Sequence, residues 1–202
     1  VKKTVFGLLL LSLGAGAETR EQLMKKFEAN WQRLHNPKLT YTARLTQDAG
    51  WEKGEGTWYV QFPQRYHFDW DNNSDAIYDG SLVRIYSGGG NETEQIKLEE
   101  CPIYMLLKGI PGKTVRVASI VKEANPNGAG QVMAVDLQPK GEGHGSGQLR
   151  VYFSDDKEGQ LLGWREPAVR RSGYGPDWIY TWVRDLHPET PDAKAFKPPQ
   201  KD

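Results

Sequence analysis

Cysteine is all but missing from this chain. Cys101 is the single example in 202 residues, so no intramolecular disulfide can form and the fold must be held by packing. A lone thiol of this kind is expected to be a small buried apolar side chain, ahead of a reactive or metal-binding one. Histidine is sparse too, and His35, His67, His144 and His187 show no metal-ligand spacing. An excess of one charge is absent, since 26 Lys and Arg meet 26 Asp and Glu. That balance excludes the basic surplus of a nucleic-acid binder and gives no polybasic membrane surface. Long apolar runs are lacking as well: the stretch from Val5 to Leu13 falls far short of the ~20 residues that span a bilayer.

Catalytic and cofactor motifs are missing in the same way. There is no G-x-S-x-G nucleophile turn. The glycine-rich stretch Gly141 to Gly147 has neither the preceding strand unit nor the following helix of a phosphate loop. Asp69 to Asp75 lacks the glycine and the closing Glu of a calcium loop. Glu99 and Glu100 read as acidic residues at the start of a helix. His67, Asp69 and Asp71 fall on one strand face, where metal ligation or acid–base work is conceivable but a solvated outer surface is the expectation. A protein with no enzymatic activity, no metal and no cofactor is expected.

What the chain does contain begins at its start. Lys2 and Lys3, the apolar run to Leu13 and the small residues Ala15, Gly16 and Ala17 follow the order of a secretory signal with its cleavage site. Residues 1–17 are therefore expected to be removed, leaving 18–202 as one soluble, monomeric periplasmic domain.

Leu23, Phe27, Trp31 and Leu34 recur at helical spacing, which predicts an amphipathic helix over 21–34, capped by Thr19 with Gln22 and ended by Asn36 and Pro37. Alternation then predicts strands over 39–47, 57–62 and 66–70, with 49–56 as a turn. Further strands are expected at 76–78, 82–87, 93–98, 114–122, 131–138, 148–154, 160–167 and 178–185, with a short helix at 102–108 and a loose tail beyond Pro188. About eleven short strands and few helices imply a mainly β domain: one strongly curved antiparallel sheet.

Aromatics are abundant, with seven Trp, nine Tyr and six Phe. Trp58, Val60 and Phe62 share one strand face, and Tyr66, Phe68 and Trp70 share another. Such a surface is either a filled core under the helices or the wall of an apolar cavity suited to acyl chains.

The order of motifs resembles the LolA family of periplasmic carriers of outer-membrane lipoproteins. The resemblance rests on Tyr41, Ala43, Leu45 and Gln47 in the first strand, then on Gly54 and Gly56 before Trp58 and Val60. It continues through Pro63, Tyr66 and Phe68, and through Asp79 and Gly80 ahead of Ile85 and Tyr86. Pro102, Ile103, Leu106 and Leu107, then Leu137, Pro139 and Lys140, and finally Phe196, Pro198 and Pro199 complete it. It implies an unclosed barrel with helices as a lid. Tyr41, Trp58, Val60, Phe62, Tyr66, Phe68, Trp70 and Ile85 would line the acyl-chain cavity, and Phe27, Trp31, Ile103, Leu106 and Leu107 would form the lid. It also implies partners: acylated lipoproteins, an inner-membrane lipoprotein-release transporter and an outer-membrane acceptor lipoprotein. A binding protein for a free lipid or glycolipid is the alternative. One position departs from the family. Where typical carriers have an Arg whose hydrogen bonds to the lid backbone hold the cavity shut, this chain has Phe62, and a phenyl ring cannot donate them. Closure by apolar contact, a partly open cavity or a different lipid cargo follows, with His67 or Arg65 as nearby substitutes.

Overall fold

The computed structural model describes residues 18–50, 53–87, 90–140, 147–168, 178–190 and 193–199. The expected signal segment 1–17, His144 and the turn at Gly173 to Pro176 lie outside the described residues.

A 15-residue helix, α1 (Arg20–Leu34), leads the chain. Its start is fixed by a capping box: the Gln22 amide nitrogen donates to the Thr19 hydroxyl and the Thr19 nitrogen donates to the Gln22 side-chain oxygen. Leu23, Phe27, Trp31 and Leu34 are all buried, as the spacing predicts, and Asn30 is buried with them. Eleven strands follow: β1 (Tyr41–Asp48), β2 (Lys53–Gln61), β3 (Arg65–Trp70), β4 (Ser74–Tyr78), β5 (Leu82–Ser87) and β6 (Asn91–Lys97), then β7 (Val115–Ala124), β8 (Gln131–Pro139), β9 (Leu149–Ser154), β10 (Leu161–Pro167) and β11 (Trp178–Pro188). Between β6 and β7 lie a 3-10 turn, Leu98–Glu100, and a short helix, α2 (Tyr104–Leu107).

All eleven strands belong to one sheet in the order β6-β5-β4-β3-β2-β1-β11-β10-β9-β8-β7, and every neighbouring pair is antiparallel. Two meanders, β1 to β6 and β7 to β11, are joined at a central seam where β1 pairs with β11. The edge strands β6 and β7 do not pair, so the sheet is not closed into a barrel. The connection between those edges, which carries α2, crosses from one side of the gap to the other. The mainly β architecture read from the sequence is the one observed.

The inward face holds the main core, including Tyr41, Trp58, Val60, Phe62, Tyr66, Val135, Val151 and Phe153, with α1 and α2 laid against it. A smaller cluster of Val132, Ala134, Tyr152 and Trp182 sits on the other face.

The structure departs from the sequence-based expectation at two places. The stretch 49–56 is only partly a turn, because β2 begins at Lys53 and pairs with β1 through Glu55 and Gly54. Gly56 serves a close approach and not a bend: a Cβ there would lie 2.5 Å from the Asp69 carbonyl and 2.9 Å from the Trp70 ring. The tail is not loose throughout either. A 3-10 turn at Ala193–Phe196 covers part of β3. It buries His67, whose Nδ1 lies 2.6 Å from the Ala195 carbonyl and whose Nε2 lies 2.6 Å from the Asp75 carboxylate. The face expected to be solvated is thus closed at His67, while Asp69 and Asp71 remain exposed.

Candidate functional site

The strand period brings most of the aromatic candidates to one place. Trp58 is the hub: its ring lies 5.8 Å from Phe62, 5.6 Å from Phe68 and 5.4 Å from Trp164. Phe68 in turn touches Tyr66 at 4.9 Å and stacks on Trp70 at 6.0 Å. Tyr41 meets Phe62 edge-on at 6.2 Å. Trp58, Val60 and Phe62 are fully buried, and Tyr66, Phe68 and Tyr41 nearly so. Trp70 and Ile85 are half-buried at the margin. Trp164, absent from the sequence-based candidates, completes the hub. Simple alternation misassigns its face because β10 shifts register against β9 between Leu161 and Gly163.

These rings are in mutual contact and form one packed cluster on the inward face. The Trp58 indole nitrogen is buried among them without a hydrogen-bond partner in the described residues. Burial raises the Tyr66 hydroxyl well above its usual range, with smaller contributions from Cys101, Glu166 and Tyr78. It also pushes the half-buried Cys101 thiol up to about 11 and the Glu166 carboxyl up to about 7. A thiol held so high is not a nucleophile at neutral pH. No group of three or more potential metal ligands occurs among the described residues.

The lid candidates cover this interior. Phe27 lies 5.3 Å from Trp31 and 6.1 Å from Phe153. Ile103, Leu106 and Leu107 are buried in the main cluster with them.

The residue that joins the two covering helices is His35, at the C-cap of α1. Its Nε2 lies 2.8 Å from the Leu106 carbonyl of α2, and its Nδ1 lies 2.9 Å from the Trp31 carbonyl of α1. Its ring stacks on Trp31 at 4.4 Å and meets Phe62 at 4.7 Å. The Trp31 carbonyl already accepts the His35 backbone N–H, so the tautomer protonated at Nε2 satisfies the Leu106 carbonyl. Burial lowers the basicity of the ring, and the facing carbonyls only partly offset this. Phe62 therefore forms the apolar floor beneath a histidine that makes the polar contact to the lid. Neither substitute named from the sequence does so. Arg65 bonds Gln61 and lies over the Phe196 ring, and His67 is committed to Asp75 and the tail. A sequence signal for His35 exists, four residues after Trp31 and beside the helix-ending Asn36 and Pro37, but its partner lies 71 residues away.

Two hollows lined by described residues lie beside this ring cluster. One, of about 420 Å³, lies between the C-terminal half of α1, the start of β1, the β9–β10 turn and the end of β11, and Tyr41 is on its wall. The other, of about 620 Å³, is an outer groove between α1, Pro63 and the segment after α2, and includes Trp31 and His35. No helix of the described residues is long and apolar enough to cross a membrane.

No family model and no curated protein matches this chain. Among solved structures, a domain described for outer-membrane lipoprotein sorting, from Vibrio parahaemolyticus, is similar with a TM-score of 0.49 at 10% identity, over 89% of this chain and 97% of that one. An uncharacterised conserved protein from Thermus thermophilus is similar with a TM-score of 0.49 at 12% identity, over 92% and 96%. A LolA superfamily protein from Nitrosomonas europaea is similar with a TM-score of 0.44 at 8% identity, over 90% and 98%.

Proposed function

We propose that this protein is a non-enzymatic periplasmic carrier of acylated lipoproteins, taking cargo from an inner-membrane release transporter to an outer-membrane acceptor. The observation that carries the reading is the kind of cover on the aromatic interior. One amphipathic helix and one short helix close it, and the ring of His35 is their polar tie to each other. A cover of this kind is exchangeable. If α1 lifts, the rings it leaves are re-covered by acyl chains, and apolar area buried before is apolar area buried after. Each CH₂ shielded from water is worth ~0.8 kcal/mol, so a multiply acylated cargo offers tens of such groups to replace Leu23, Phe27, Trp31 and Leu34. The motif order shared with the LolA family supports the same reading, and Phe62 with His35 takes the place of that family's Arg.

Native mass spectrometry of the protein purified from periplasm tests this. A bound acylated polypeptide is expected, and protein that stays empty when lipoproteins are co-expressed overturns the proposal. A bare lipid instead supports the second reading, a binding protein for a free lipid or glycolipid, which the modest size of the 420 Å³ hollow favours. An enzymatic role for the β3 face is tested by replacing His67 and Asp69 together with Ala: cargo delivery is expected to persist.

A further inference from the structure

The charge balance of the whole chain conceals a local separation. Between Glu100 and Glu123 the sequence carries Lys108, Lys113, Arg116 and Lys122 and no acid. Lys122 is engaged by Glu18 and Asp155. The other three lie on or beside the turn that leads from α2 into β7. Lys140 joins them from just past β8, its Nζ donating to the Gly112 carbonyl at 2.6 Å. Arg116 donates through Nε to the Gln138 side chain at 2.9 Å, and Lys108 lies over the Tyr78 ring at 4.8 Å. Those partners are neutral. Lys108, Lys113, Arg116 and Lys140 make no ion pair among the described residues, and the last three are exposed.

At the head of this turn stands Ile110, 49% exposed, one of two large apolar side chains left so open among the described residues. The turn is built to hold it out. The Lys113 and Thr114 amides donate to the Ile110 carbonyl at 2.9 and 3.0 Å, and the Gly112 amide donates to the Val115 carbonyl at 2.9 Å. The Ile110 amide donates to the Thr114 hydroxyl at 2.8 Å, and Pro111 has no amide hydrogen to satisfy. Every backbone N–H of the turn is thus bonded within it, so the turn can leave bulk water at low cost. At its root a Cβ on Gly109 would lie 2.2 Å from the Met105 carbonyl, whereas at its tip a Cβ on Gly112 would meet nothing within 4 Å. Ile110 and Pro111 also border the 620 Å³ outer groove, whose lining holds one acid, Glu28, against Lys108.

We propose that the 108–113 turn is a docking tip for an anionic bilayer surface. Ile110 and Pro111 enter the headgroup boundary, and Lys108, Lys113, Arg116 and Lys140 lie against acidic headgroups around them. A protein partner of standard size needs about 800 Å² of surface on each side, and a single projecting turn offers far less. A bilayer accepts a narrow tip and favours an apolar point inside a basic collar. Docking leaves α1, His35 and the ring cluster in place, so it stands or falls apart from the carrier reading.

Flotation of the full chain with lipid vesicles provides the test. Vesicles of equimolar phosphatidylcholine and phosphatidylglycerol should bind about tenfold tighter or more than vesicles of phosphatidylcholine alone, since each cation beside such a surface contributes roughly fivefold. High salt should remove the difference. The exposed pair Lys113→Gln with Arg116→Gln should weaken anionic binding about twenty-fivefold. Ile110→Ser should weaken it several-fold and leave the salt dependence in place. A polarity-sensitive dye on Ile110→Cys, in a Cys101→Ser background, should shift to the blue on anionic vesicles. The same dye on Val121→Cys, the other open apolar position, should not. No preference for anionic vesicles, an unshifted dye at position 110 on bound protein, an equal shift at both positions, or unchanged binding by the double variant overturns the proposal. So does soluble polyglutamate binding as tightly as the anionic vesicles, which would assign the cations to an acidic protein. Capture of acyl chains by the interior would neither depend on headgroup charge nor yield to salt, so failure here leaves the carrier reading untouched.

Discussion

Two histidines fasten two helical segments to the two faces of one sheet, and they do it differently. On the inner face His35, at the end of α1, holds α2 through the Leu106 carbonyl alone, over a floor of rings. On the outer face His67 holds the Ala193–Phe196 turn to β3 through one carbonyl and the Asp75 carboxylate, with Arg65 over Phe196 beside it. The outer clasp is built on a charged partner. The inner clasp is a small polar contact within an apolar contact area that water or lipid can replace. The two covers of this sheet are thus seated by different chemistry.

The sharpest way to break this comparison is at Phe62. Placing Arg there recreates the family residue but buries a guanidinium under a histidine already using the Leu106 carbonyl. In the structure the position is fully buried, and the expected result is a loss of ~3–5 kcal/mol, seen as a marked fall in thermal midpoint. An unchanged midpoint would mean that the inner face is wet. Phe27→Ala should cost a similar or slightly smaller amount, ~3–5 kcal/mol for a fully buried Phe, and should increase binding of a hydrophobic dye. The outer-face variant Arg65→Ala should leave dye binding alone.

The two clasps can then be opened one at a time. His35→Ala leaves the Leu106 carbonyl without its donor, at ~1–3 kcal/mol. Hydrogen exchange should quicken at the α2 amides and not at β3. His67→Ala should do the reverse, freeing the 193–199 segment to exchange and to proteolysis with α2 unchanged. If both variants loosen the same amides, the two covers are not independent. The smallest effect is in pH. His35 is held neutral by burial, so its folded pKa lies below the free value of about 6.5. Its contribution is complete above that value and is lost as pH falls from there through the lowered folded pKa. Exchange at α2 should therefore rise as the pH drops below about 6.5, and His35→Gln should flatten that slope.

Strands are legible in the sequence wherever one face meets the core and the other meets water. β5 is legible at Leu82–Ser87, residue for residue, because Asp79 and Gly80 turn the chain just before it, even though its register shifts between Ile85 and Tyr86. α1 is legible in stripe, cap and end alike. The start of β2 is not, since Gly54 and Gly56 look like a turn until the Trp70 ring is seen lying on them. The burial of His67 depends on a tail residue 128 positions away, and no local pattern carries that. Of the candidate site, the shared face of Trp58, Phe62, Tyr66 and Phe68 follows from a period of two. Whether those rings meet one another or surround a space is decided by sheet curvature and by what lies across from them, including Trp164 and Phe153, and alternation carries neither.

The central seam has a consequence for how the molecule is made. Each meander grows by zipping adjacent hairpins, which is local and fast, but β1 finds its second neighbour only when β11 arrives. A chain emerging amino end first therefore carries an open, hydrogen-bond-hungry border on β1 until its last strand is delivered. Loss of the residues from Trp178 onward would leave two half-sheets with bare flanks, and each half would be prone to join a stranger's.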